Sequence, residues 1–167
     1  MSRTLLAGLL ALALPVLAAC DSNDDDLATI TALVVADADL STLEAAVIEA
    51  ELDDDLAGDG PFTVFAPTNA AFTALLDALD TDAAGLLARD DLAEILQLHV
   101  ASGELEADDL SAGQTVATLN GNVTIVASGT GLGIDTDADG TADATITRTD
   151  IEASNGVVHK IDAVLLP

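Results

Sequence analysis

The residue pattern nearest to a binding chemistry is Asp135-Thr-Asp-Ala-Asp-Gly140. Aspartate at the first, third and fifth places and glycine at the sixth match the opening of an EF-hand calcium loop, and Asp143 falls at the ninth. The match stops there. The twelfth place is Ile146, where such a loop needs a bidentate glutamate. The flanks, Leu132-Gly-Ile134 and Ala144-Thr-Ile-Thr147, read as strands and not as helices. Carboxylates converging on a tight turn repel one another unless a cation sits among them. Asp135, Asp137, Asp139 and Asp143 are therefore expected at a hairpin tip with, at most, weak calcium affinity. No other cofactor is expected.

His99 and His159 are the only imidazoles. No cysteine or carboxylate lies at ligand spacing to either, so both read as structural groups satisfied by neighbouring polar atoms. Serine and aspartate are abundant, but there is no Gly-x-Ser-x-Gly elbow to expose a nucleophile. Paired carboxylates carry no information in a chain with 30 acids. The expectation is a protein without catalytic activity.

The one cysteine has a different use. Met1-Ser-Arg3 is a short positive start, and Leu5 to Leu17 is an apolar run broken by Gly8 and Pro15. The run is shorter than the roughly 20 residues of a membrane-spanning helix and fits the apolar core of a signal peptide. It ends in Leu17-Ala-Ala-Cys20, which resembles the lipobox of bacterial lipoproteins, where the cysteine is acylated and becomes the new N-terminus. Asp21-Ser-Asn-Asp-Asp-Asp26 then suits a polar tether. The expected organisation is a signal peptide over 1–19, a lipidated Cys20 with an acidic tether over 20–26, and one domain over 27–167. That places the domain at the cell envelope, outside the cytoplasm, tied to a membrane by its lipid.

Composition narrows the partners. Thirty acids face four bases, Arg3, Arg89, Arg148 and Lys160, giving a net charge of −26. Such a surface repels nucleic-acid phosphates, so nucleic acid is excluded as a partner. It also repels itself at low salt. Half the residues are hydrophobic, and Phe62, Phe65 and Phe72 are the only aromatics, so the core must be largely aliphatic.

The elements that must carry these residues follow from periodicity. Leu27 to Val35 and Leu40 to Leu56 read as helices, with Ser41 or Thr42 and Glu44 placed to cap the second. Gly58-Asp-Gly-Pro61 turns the chain, and Phe62 to Ala66 reads as a strand. Pro67-Thr68-Asn69 starts a helix over Ala70 to Leu79, which Thr68 or Asn69 can cap. Leu92 to Leu98 is a further helix. Then Gln114 to Leu119, Asn122 to Val126, Ala144 to Thr147 and Gly156 to Leu165 are rich in β-formers, with Asn120-Gly121 a hairpin signal. Helices first and strands later, with one early strand, predict an α+β fold.

Three segments resemble the fasciclin (FAS1) family. Thr63-Val-Phe-Ala-Pro-Thr-Asn-Ala-Ala-Phe72 is similar to the family's first conserved block, with Phe65, Pro67, Thr68, Asn69 and Phe72 in it. Asn155-Gly-Val-Val-His-Lys-Ile-Asp-Ala-Val-Leu-Leu-Pro167 is similar to the second, with Asn155, Gly156 and His159. Leu98-His99 lies where the family often carries Tyr-His. The resemblance implies a compact β-sheet wedge packed with several α-helices. It also implies extracellular adhesion or recognition of proteins, matrix or glycans. Some fasciclin-like proteins carry carotenoids, so the alternative is a binder of a small apolar, carotenoid- or lipid-like ligand. In some animal relatives the Tyr-His region is linked to integrin binding. With Leu98 in place of the tyrosine, that activity is not carried over.

Overall fold

The computed structural model describes residues 27–58 and 60–167, so Cys20, the predicted leader and the predicted tether lie outside the described residues. Ile30–Ala36 forms α1, and the Thr29 hydroxyl at its N-cap accepts the N–H of Ala32 at 3.3 Å. A 3₁₀ turn, Ala38–Leu40, leads into α2, Ser41–Glu49.

The helix predicted over Leu40 to Leu56 is two helices, α2 and a short α3, Asp53–Leu56. The reason is a Schellman stop. Glu51 takes a φ of 54°, its N–H bonds Ile48 O at 3.1 Å, and Leu52 N–H bonds Val47 O at 3.0 Å. Leu52 and Val47 both enter the core, supplying the apolar contact that goes with this motif. A glutamate occupies the left-handed position where glycine is usual, so the sequence carried no visible stop.

The strand β1 spans Phe62–Pro67 and is followed by α4, Asn69–Ala78. A short α5, Ala83–Leu87, and a three-residue β2, Val100–Ser102, were not legible in the sequence; α6, Leu92–Leu98, was. The remaining strands are β3 (Thr115–Thr118), β4 (Gly121–Ser128), β5 (Gly131–Asp135), β6 (Ala144–Ala153) and β7 (Gly156–Ile161). The β3–β4 hairpin pairs Thr118 with Gly121, so Leu119 and Asn120 make the turn, one residue earlier than the Asn-Gly signal suggests. The closing strand ends at Ile161 and not at Leu165. Val164 and Leu165 follow it as irregular chain, with Leu165 fully buried.

The seven strands close into a barrel, with β1 pairing β2 antiparallel and β7 parallel. The fold is α+β, as predicted, and alternation along β1 divides its core. Phe65 points into the barrel with Ile125, Ile134, Ile161 and Leu165. Val64 and Ala66 point outward, where Ile30, Leu43, Val47, Phe72 and Leu96 of the helices cover them. A strand buried on both faces reads as a continuous apolar run, and β1 is buried from Thr63 to Pro67. No helix among the described residues is long and apolar enough to cross a membrane.

Candidate functional site

The Asp-rich segment forms the tip of the β5–β6 hairpin, and most of its carboxylates are engaged with backbone. Asp135 is buried, and its two oxygens accept Ala138 N–H at 2.7 Å and Gly140 N–H at 2.8 Å. Burial by itself raises a carboxyl pKa; the N–H groups of Gly140 and Ala138 outweigh it and hold Asp135 below its ordinary value. Asp143 accepts both the N–H and the hydroxyl of Thr136 at 2.8 Å. Oxygens of Asp135, Asp137 and Asp143 lie within 4.8 Å of one another. Asp139, predicted to join them, does not: its Oδ1 turns away to accept Thr141 N–H at 2.7 Å. Ile146 lies on β6 opposite Ile161.

The histidines lie on either side of Phe65 in the barrel wall, and the Phe65 N–H bonds His99 O at 2.8 Å. His99 follows α6, is buried, and faces Ile95 O with Nδ1 at 2.7 Å and Leu165 N–H with Nε2 at 2.9 Å. An N–H donor opposite Nε2 makes that nitrogen the acceptor, so Nδ1 carries the proton. Burial pushes the His99 pKa down to about 4, against a smaller opposing effect of the Ile95 carbonyl. His159 sits on β7 opposite Phe65, with ring centroids 5.8 Å apart. Its Nδ1 accepts Asp150 N–H at 3.3 Å and its Nε2 donates to Leu105 O at 2.8 Å. Every ring nitrogen of both histidines thus has a backbone partner, and none is left to a cation or a substrate.

The asparagines of the two family-like blocks act at long range. Asn69 does not cap its own helix α4. Its Oδ1 accepts Thr42 N–H at 3.0 Å, and its Nδ2 donates to Ala38 O at 2.8 Å. The cap of α2 is therefore supplied by Asn69, while Leu40 at the N-cap position and Thr68 before α4 make no side-chain cap bond. Asn155 ties three segments: Oδ1 accepts Ile30 N–H at 2.9 Å, and Nδ2 donates to Leu56 O at 2.7 Å and Gly58 O at 3.0 Å. Gly156 beside it has a φ of 150°, and a Cβ there would meet Phe62 O at 1.9 Å. The close approach of β7 to β1 requires glycine.

Two polar groups escaped the sequence reading. Lys160 is buried on β7, 2.6 Å from Asp37 and 3.3 Å from Asp39. Burial lowers its pKa, but hydrogen bonds to Asp37 and Asp39 more than compensate and leave it raised; the same contact with Lys160 lowers Asp37. Thr63 donates to Gly103 O at 2.7 Å and accepts Leu105 N–H at 2.9 Å. Their spacing gave no signal because both partners come from distant loops.

The Fasciclin domain family matches residues 38–167. Protein sll1483 of Synechocystis is 39% identical over 145 residues, covering 86% of this chain and 76% of that protein. A second Synechocystis protein, sll1735, is 37% identical and covers 82% of this chain and 96% of that one. Human periostin is 31% identical over 140 residues, which are 80% of this chain but 15% of periostin. The structure of a FAS1 domain pair from the insect cell adhesion molecule Fasciclin I superposes with a TM-score of 0.68 at 23% identity, over 84% of this chain and 51% of that chain. The chain therefore belongs to the fasciclin-domain family.

Proposed function

We propose that the chain is an envelope-anchored FAS1 module, held at a membrane by a lipidated Cys20 and the acidic tether Asp21–Asp26. In this reading the domain faces away from the cytoplasm and recognises proteins or glycans of the envelope or matrix. It performs no reaction. The observation that carries the reading is the Fasciclin domain match over residues 38–167. The insect relative by fold is itself a cell adhesion molecule. Consistent with it, the histidines and family-block asparagines spend their hydrogen-bonding capacity on backbone partners. The test is attachment of host cells to native matrix or envelope preparations, with and without the chain. Loss of attachment on deletion, and competition by added soluble domain, are the expected results; unchanged attachment refutes the reading.

A second reading, carriage of a small apolar ligand, draws on an apolar groove of roughly 200 Å³ between α1, α2 and α3. An organic extract of protein purified from the native host decides it. A stoichiometric apolar molecule supports carriage, and a bare protein contradicts it.

A further inference from the structure

An apolar groove opens between α1, α2 and α3, and the fold itself does not use it. Val34, Val47 and Leu56 form its floor and belong to the helical core. Its lips are Val35 and Ile48, which stand 55% and 56% exposed. Val35 and Ile48 thus carry the apolar floor outward to the surface. The rim is acidic: Glu44 and Asp53 line it, and Asp54 and Asp55 stand exposed beside them on α3. None of Arg89, Arg148 and Lys160 lines it.

We propose that this groove docks a basic amphipathic helix of a partner protein. An apolar stripe on that helix fills the space between Val35 and Ile48, and its flanking lysines or arginines meet Glu44 and the α3 aspartates. Charge decides against two other occupants. A second copy brings another net charge of −26 to the same rim, and an anionic membrane surface is repelled in the same way. The inference deepens the recognition reading above and rests on it, since it names the chemistry of one partner.

The test measures fluorescence anisotropy of labelled peptides against the full chain. Three peptides of about 18 residues, roughly five helical turns, are compared: a Leu/Lys amphipathic helix, its scrambled isomer without an apolar stripe, and a Leu/Glu helix of the same pattern. Anionic phosphatidylglycerol vesicles are the fourth probe. The Leu/Lys helix is expected to bind at least about tenfold more tightly than its isomer, and more weakly as salt rises from about 0.1 to 1 M. Ile48→Glu and Val35→Glu are each expected to weaken it about tenfold with the thermal midpoint unchanged, because both residues are at the surface. If either glutamate variant lowers the midpoint, Ile48→Gln and Val35→Gln replace it and carry the same expectation. Equal binding of the two basic peptides, preference for the Leu/Glu helix or for vesicles, a co-purified apolar molecule that blocks the peptide, or full binding by the folded variants overturns the proposal. Cell attachment that persists in Ile48→Glu separates failure of the groove from failure of the recognition reading.

Discussion

His99 holds Leu165: its Nε2 accepts the Leu165 N–H at 2.9 Å and so fixes the chain that follows β7 against the end of α6. A proton added to Nε2 removes that acceptor and places a charge in the core. The folded pKa is about 4, below the ordinary 6.5, so the unfolded chain takes up a proton that the native state refuses. Stability is therefore lost as pH falls from about 6.5 to 4 and loses no more from this group below that. The expected loss is about 3 kcal/mol relative to His99→Gln, which does not titrate. Urea unfolding of both proteins from neutral pH to pH 4 measures it; parallel curves contradict it. The acids common to both proteins cancel in the difference.

Asn69 and Asn155 are expected to act as struts of the fold. Asn155→Ala strands the N–H of Ile30 and the carbonyls of Leu56 and Gly58, at about 1–3 kcal/mol for a buried group left unpaired. Asn69→Ala removes a helix cap, worth about 1 kcal/mol. Thermal unfolding is expected to rank them in that order. Asn155→Asp is expected to fail as a rescue, since a carboxylate cannot donate to Leu56 O and Gly58 O.

How far the sequence reached is seen in these same residues. The strand read over Phe62 to Ala66, which runs one residue further to Pro67, the helix Leu92–Leu98 and the α+β class were legible because periodicity and β-branching are local signals. Asn69 was legible as a helix-start residue but not as the cap of a different helix, since Thr42 is 27 residues away. The Lys160–Asp37 pair, across more than a hundred residues, left no trace for the same reason. The break at Glu51 was hidden because the left-handed residue is not glycine. In the Asp loop, spacing placed four carboxylates together, whereas backbone N–H groups drew Asp139 out of the set.

That competition sets the expected calcium affinity. Asp135 already has both oxygens on backbone N–H groups, and Ile146 supplies no ligand. Binding no tighter than about 10⁻⁴ to 10⁻³ M is expected by calorimetry, and none in Asp137→Asn combined with Asp143→Asn. Micromolar affinity contradicts this. Asp135→Asn is expected to lower stability without calcium, because a neutral amide is a weaker acceptor for Ala138 and Gly140.

Thirty acids against four bases imply strong self-repulsion. The Debye length falls from about 10 Å at 0.1 M salt to about 3 Å at 1 M. The midpoint temperature is expected to rise clearly over that range, although the Lys160–Asp37 pair is screened too. A flat or falling midpoint indicates that the acids lie too far apart to interact.

The most direct test of a tethered recognition module is the Cys20→Ser variant expressed in the native host with labelled fatty acid, followed through fractionation and cell attachment. Label is expected in the wild-type chain only, with the variant leaving the membrane fraction and attachment dropping to that of cells lacking the chain. Label in Cys20→Ser, or full attachment by cells that carry it, contradicts the anchored reading.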